Sequence, residues 1–184
     1  MRMPGMTVPR ADTGVTNTQM GIRLFLASEV MLFGGLFSAY AFVRAAASQW
    51  PHGPTTLPTA LGVVNTVLLT IGTVFVWRAR SRPVWLWSSS LASIAFVAMK
   101  SLEWRGAVAE GLLPSTDTFF AMYYTLTGVH VAHVVGGVMA NTWAATGLRR
   151  VGPDITADRT HALALYWTFV DMVWLAIFVL MYLL

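Results

Sequence analysis

The chain has 184 residues, of which 56% are hydrophobic and 11% are charged, and its formal net charge is +4. A soluble domain carries about a quarter charged residues, so this composition, with its repeated apolar stretches of roughly 18 residues or more, indicates an integral membrane protein. In such a protein arginine and lysine mark the cytoplasmic side, and the positive charge is no sign of nucleic-acid binding. The absence of cysteine excludes disulfides, thiolate chemistry and iron–sulfur ligation.

The chain begins with a polar arm over residues 1–20, which lacks the apolar core of a signal peptide. We expect this arm to be flexible and cytoplasmic. Apolar stretches separated by prolines and basic turns then predict five helices, at about 22–44, 59–78, 84–104, 118–146 and 161–183. Residues 21–184 are therefore predicted to form one all-α, polytopic bundle of five transmembrane helices.

The distribution of arginine predicts the direction of these helices. If the N-terminus is inside, nine arginines lie on the inner side and only Arg44 and Arg105 lie outside. The positive-inside rule then places the N-terminus in the cytoplasm and the C-terminus in the periplasm. The nine inner arginines are Arg2, Arg10, Arg23, Arg78, Arg80, Arg82, Arg149, Arg150 and Arg159.

Several polar side chains fall at membrane depth, where they are costly and by default suggest function. Lys100 and Glu103, at i and i+3 near the outer end of helix 3, predict an ion pair. Asp171, near the middle of helix 5, predicts a carboxylate hydrogen-bonded to a neighbouring helix, and Asn65 lies in helix 2. Glu29 has no basic residue within a turn, so it either holds a structural hydrogen bond or exchanges protons, and the sequence leaves both roles open.

Two histidines, His130 and His133, lie three residues apart near the middle of helix 4, so we expect them on one face. Imidazoles bind metals and carry protons, but a metal site usually needs three or four ligands. The other histidines, His52 and His161, fall at opposite membrane edges. We therefore predict that the pair makes interhelical hydrogen bonds and that this chain holds no metal or heme.

Five segments, taken in order, resemble the cytochrome c oxidase subunit III family. Their shared features are a Ser-Glu-Val glutamate, an Asn-Thr pair, a Lys-x-x-Glu-aromatic helix end, a Thr-Gly-x-His-x-x-His-Val motif and an aromatic closing motif. The segments are GIRLFLASEVMLFGGLFSAY (21–40), LPTALGVVNTVLLT (57–70), KSLEW (100–104), TFFAMYYTLTGVHVAHVVGG (118–137) and YWTFVDMVWLAIFVLMYL (166–183). The closing motif of the family usually has a histidine where this chain has Thr168, so no role of that histidine is transferred.

The resemblance is to the short bacterial form, which lacks the first two of seven helices. It implies a subunit of a respiratory heme–copper terminal oxidase in the bacterial cytoplasmic (inner) membrane, which passes electrons from cytochrome c or quinol to oxygen with proton translocation. Hemes and coppers are then expected in subunits I and II, while this chain has no catalytic centre and no cofactor other than bound phospholipid. The implied partners are mainly subunit I, then subunit II, the other subunits and membrane lipids.

The implied role is to pack on subunit I and support proton uptake and turnover stability, with Glu29 as the family's intramembrane glutamate. Two other functions stay open. A subunit III of a quinol oxidase, or an accessory subunit of a nitric-oxide reductase, would look alike and differ in whether the neighbouring subunit II has a copper-binding cysteine pair. A stand-alone proton-coupled carrier using Glu29, Asp171 and Lys100 would move a solute by itself, but the chain shows no internal repeat of the transporter kind.

Overall fold

The computed structural model describes residues 14–50, 57–79, 82, 84–147 and 153–184. All regular secondary structure of these residues is helical, which confirms the all-α prediction for this part of the chain. The helices are α1 (Asn17–Ala46), α2 (Thr59–Arg78), α3 (Val84–Ala109), α4 (Thr118–Gly147) and α5 (Pro153–Phe178), and α5 continues into a π-helical turn, Val179–Leu183.

Three helices extend beyond their predicted limits by more than one residue. The first begins at Asn17 because the hydroxyl of Thr16 caps it, accepting a 3.2 Å hydrogen bond from the backbone N–H of Gln19. Residues 17–20 of the predicted arm are therefore helical, and residues 1–13 lie outside the described part. Likewise α3 continues five residues past 104 and α5 starts eight residues before 161. Hydropathy predicts where an apolar stretch ends, whereas a helix continues into polar sequence that still satisfies its backbone hydrogen bonds.

Four helices form a ring in which each packs on the next: α2 on α3, α3 on α4, α4 on α5, and α5 back on α2. The remaining helix, α1, lies outside this ring, mainly against α5 and to a lesser extent against α4. At one end, Thr16 donates a 2.8 Å hydrogen bond to Asp158; at the other, Arg44 donates one of 3.3 Å to the carbonyl of Leu184. These contacts show that α1 and α5 run in the same direction.

Within the described residues, α1, α2 and the stretch Ile155–Leu183 of α5 are long and apolar enough to cross a bilayer. The prediction of five spans, with the N-terminus inside, stays a prediction. Of the arginines on which that direction rests, Arg2, Arg10, Arg80, Arg149 and Arg150 lie outside the described residues.

The centre of the ring is aromatic and partly polar. Trp174 and Phe96 pack edge to face with ring centroids 4.8 Å apart. The indole N–H of Trp167 donates to the side-chain oxygen of Asn141 (3.0 Å), whose amide donates to the hydroxyl of Ser89 (3.2 Å). All five side chains are fully buried, and the polar chain joins α3, α4 and α5 through the middle of the bundle.

Candidate functional site

The carboxylate of Glu29 on α1 meets the imidazole of His133 on α4, with 2.8 Å between Oε2 and Nε2. Both side chains lie where α1 packs on the ring, and they are 13% and 16% exposed. The ring of Phe33, one helical turn after Glu29, lies 5.0 Å from the imidazole and covers it. The basic partner that the sequence does not show within a turn of Glu29 is thus supplied by another helix.

The hydrogen bonds of His133 fix how many protons this pair holds. Its Nδ1 lies 2.8 Å from the backbone carbonyl of Val129, which can only accept, so Nδ1 carries a proton. The short contact between Nε2 and Glu29 then requires one further proton between these two atoms. The pair is therefore either neutral acid with neutral imidazole or carboxylate with imidazolium. Both forms have zero net charge, which lowers the cost of placing them in an apolar helix interface.

His130 faces a different neighbour. It is fully buried inside the ring, its Nε2 lies 3.1 Å from the carbonyl oxygen of Val170, and its ring packs against Phe96 and Trp174. Three residues along an α-helix amount to a rotation of about 60° between side chains. Because of this rotation, His130 points inward to α5 and His133 points outward to α1. The two histidines, expected on one face, therefore do not form one site.

A buried polar cluster joins Lys100 and Glu103 of α3 to Tyr123 of α4 and Tyr182 of the π-helical turn. The ammonium of Lys100 donates to Glu103 Oε1 (2.9 Å), to the hydroxyl of Tyr123 (2.9 Å) and to the hydroxyl of Tyr182. Both tyrosines in turn donate to Glu103 Oε1 at 2.5 Å. The i, i+3 ion pair predicted from the sequence is present, and the two tyrosines are partners that the sequence analysis missed.

The two other predicted polar residues, Asn65 and Asp171, have few partners. Asn65 on α2 is fully buried, and neither side-chain atom of its amide has a hydrogen-bond partner among the described residues. Asp171 on α5 accepts a 3.2 Å hydrogen bond from Thr70 of α2, and it is half-buried rather than enclosed. Thr168, which replaces the family histidine, accepts a 3.1 Å hydrogen bond from the indole N–H of Trp77.

An apolar cavity of about 740 Å³ lies between α1, α4 and α5, at the end of the bundle where α1 begins. Phe25, Leu163 and Tyr166 form part of its wall. The guanidinium of Arg159, which also lines it, lies 4.8 Å from the ring of Trp143. Within the described residues, no group of three or more histidine, cysteine, aspartate or glutamate side chains could hold a metal ion.

Comparison with known proteins identifies the family. The sequence model described as cytochrome c oxidase subunit III matches residues 11–184. A probable cytochrome c oxidase subunit 3 from Nocardia farcinica is 32% identical over 97% of this chain and 95% of its own length. A heme-copper oxidase subunit I+III from Aeropyrum pernix is 31% identical over 87% of this chain, which matches 22% of that longer protein. A cytochrome bo(3) ubiquinol oxidase subunit 3 from Pseudomonas aeruginosa is 28% identical over 91% of this chain and 85% of its own length.

The relatives include subunits of oxidases with different electron donors, so the comparison gives the type of subunit and not the type of complex. Together with the apolar helices of the fold, it makes the chain a multi-pass membrane protein. The chain belongs to the cytochrome c oxidase subunit III family, the third subunit of heme–copper oxidases.

Proposed function

We propose that this chain is the non-redox subunit III of a cytochrome c oxidase in a bacterial cytoplasmic membrane. It packs on the heme-bearing subunit I and supports proton uptake and the lifetime of that subunit during turnover. All five helices cross the membrane, with the N-terminus in the cytoplasm. The relatives named cytochrome c oxidase subunit 3, at 30–32% identity, support this choice of complex.

The observation that carries the proposal is the pair formed by Glu29 and His133. It holds one proton between two side chains at the boundary of α1 and α4, and that proton can move from one to the other without a change in net charge. Such a pair is suited to keeping α1 on the bundle and to holding a proton at the surface of the oxidase, rather than to electron transfer.

Bound phospholipid is part of the proposal. The cavity between α1, α4 and α5 has apolar walls for acyl chains, and Arg159 at its edge offers a cation to a phosphate. In the proposed orientation this end of the bundle faces the cytoplasmic leaflet.

Replacement of Glu29 tests the role of the pair. In Glu29→Gln the amide N–H₂ donates to Nε2 of neutral His133, so the hydrogen bond remains while the exchangeable proton is lost. Glu29→Ala removes both. Ser38→Ala is a matched control, because the exposed Ser38 hydroxyl donates only to the carbonyl of Gly34 in its own helix. The measurements are the heme that co-purifies with the tagged chain and the rate of oxygen consumption over prolonged turnover at several pH values.

If the pair only holds α1 in place, Glu29→Gln keeps assembly and sustained turnover, while Glu29→Ala loosens the subunit and shortens turnover. If it also supplies protons, Glu29→Gln assembles normally but inactivates sooner as pH rises and protons become scarce. Normal assembly and undiminished turnover in both variants would refute both roles.

The ubiquinol oxidase subunit among the relatives makes a quinol oxidase the second candidate complex. The optical spectrum of the purified complex, with reduced cytochrome c or quinol as the electron donor, distinguishes the two. Oxygen consumption with quinol alone would replace the cytochrome c oxidase assignment, and the subunit III assignment would remain.

A further inference from the structure

One carboxyl group is placed on the outer surface of the bundle, near the middle of the apolar stretch Ile155–Leu183 of α5. Asp171 is half-buried, and the structure gives it a single hydrogen bond from a described residue, the 3.2 Å bond from Thr70 to Oδ1. The acidic groups of the helices α1 and α3 have stronger partners within the chain. Glu29 has an imidazole, and Oε1 of Glu103 has an ammonium and two hydroxyls, while Oε2 of Glu103 is buried inside the chain without a partner among the described residues.

The surface around Asp171 is otherwise apolar and crosses from α2 to α5. On α2, Val67 and Val74 lie three residues before and four residues after Thr70, so all three share a face. On α5, Met172 and Leu175 flank the carboxyl one residue and one turn further along. Each of these four apolar side chains is exposed, by between 42% for Leu175 and 64% for Met172. We call the six residues Val67, Thr70, Val74, Asp171, Met172 and Leu175 the Asp171 surface.

Acyl chains would suit the apolar members of this surface but not the carboxyl. Lipid tails carry no hydrogen-bond donor, and an acidic group within the span that keeps a free oxygen is costly there. Protein helices bring such donors into the membrane through serine, tyrosine, tryptophan, lysine or arginine. A protein helix with a donor at mid-membrane therefore fits the Asp171 surface better than lipid does.

A second copy of this chain is a poor occupant. A two-fold symmetric dimer centred here would bring Asp171 against Asp171, and as carboxylates the two groups would repel each other. The heme-copper oxidase subunit I+III of Aeropyrum pernix combines, by its name, the two subunits in one polypeptide, which favours subunit I as the occupant.

We propose that the Asp171 surface is where a transmembrane helix of the heme-bearing subunit I docks, and that this helix donates a hydrogen bond to the free oxygen of Asp171. This inference rests on the proposed function, because it takes subunit I as the partner. It assigns to that contact a place on α2 and α5, away from the Glu29–His133 pair on the α1 side.

Photo-crosslinking in the intact membrane tests the location. A photoreactive amino acid at Leu175 is expected to give an adduct with the heme-bearing subunit. The same group at Leu91, which is 70% exposed on α3 across the ring from α5, is the matched control and is expected to give none. Adducts are identified by peptide mass spectrometry. An adduct at Leu175 with lipid alone, with a second copy of the chain or with a subunit without heme would overturn the proposal.

Substitution of the carboxyl tests the hydrogen bond. Asp171→Leu is expected to lower the heme recovered with the tagged chain by roughly tenfold or more, as for loss of a hydrogen bond to a charged acceptor. Asp171→Asn retains an acceptor oxygen, and we expect this variant to co-purify with most of the heme recovered with the wild type. The thermal stability of the separated Asp171→Leu subunit in detergent serves as the folding control, and it is expected to equal or exceed the wild-type value because leucine favours lipid.

The failures are distinguishable. If the wild-type chain brings down no heme-bearing subunit, the proposed function is wrong, and with it this inference. If it does, but Asp171→Leu recovers as much heme as wild type or Leu91 crosslinks in place of Leu175, only the docking surface is wrong.

Discussion

Replacing Lys100 by methionine should destabilise the subunit more than replacing Lys100 and Glu103 together. At 2.9 Å and an effective dielectric constant of about 20, Coulomb's law gives an attraction of about 6 kcal/mol between the two charges. Desolvation offsets much of it, because both side chains are at most 1% exposed. Lys100→Met leaves the carboxylate buried without a cation, and removal of one partner of a buried pair costs about 3–5 kcal/mol.

The double variant Lys100→Met/Glu103→Gln buries no charge. Its glutamine oxygen still accepts hydrogen bonds from Tyr123 and Tyr182, so we expect its free energy of unfolding to lie within about 1–2 kcal/mol of the wild-type value. Ser101→Ala, at an exposed hydroxyl that bonds within its own helix, is the control for substitution in α3.

Unfolding by sodium dodecyl sulfate in mixed micelles gives the free energy of unfolding of the wild type, Lys100→Met, Glu103→Gln, the double variant and the Ser101→Ala control. The wild type, the two single variants and the double variant form a cycle, and we expect a coupling energy of at least about 2 kcal/mol. The opposite result would be that the losses in free energy of unfolding of the two single variants simply add, so that the double variant is the least stable. That result would show that the two charges do not stabilise each other.

Three further predictions concern packing, topology and cofactors. Gly137→Ala should destabilise the bundle by about 1–3 kcal/mol, because a Cβ there would lie 2.6 Å from the ring of Trp167, whereas Gly128→Ala, whose nearest neighbour is 4.0 Å away, should be neutral; equal unfolding midpoints would contradict this. Reporter fusions after Arg78 and at Leu184 should read opposite sides of the membrane, and matching signals would mean a miscounted span. Metal analysis of the separated subunit should find no stoichiometric heme, copper or zinc, and one tightly bound metal per chain would disprove it.

Local features of the molecule were predictable from the sequence, whereas contacts between helices were not. The ion pair of Lys100 and Glu103 lies within one helix, so spacing alone predicts it. The pairing of Glu29 with His133 joins residues 104 positions apart, and the spacing rules for a single helix cannot predict it. The sequence did supply both members as candidates, because polar residues at membrane depth are few enough to single out.

The tyrosines of the buried cluster show most clearly that contacts between helices cannot be predicted from the sequence. Tyr123 lies in an aromatic run and Tyr182 near the chain end, where tyrosine is equally common as an anchor at the membrane interface. Only the packing of α3, α4 and the π-helical turn reveals that both hydroxyls point at Glu103. The half-exposed position of Asp171 was likewise hidden, because it depends on which face of α5 remains uncovered by α1 and α2.

The position of α1 outside the ring has a consequence for how the protein is made. Ribosomes deliver this helix before the ring helices, and the residues that hold it come later: His133 for Glu29, and Asp158 and Leu184 for the two ends. At about 5–20 residues per second, Glu29 waits roughly 5–20 s before its imidazole is synthesised. During this interval the carboxyl group of Glu29 has no imidazole with which to pair. The ring can close without α1, so α1 is synthesised before the ring helices but attached after them.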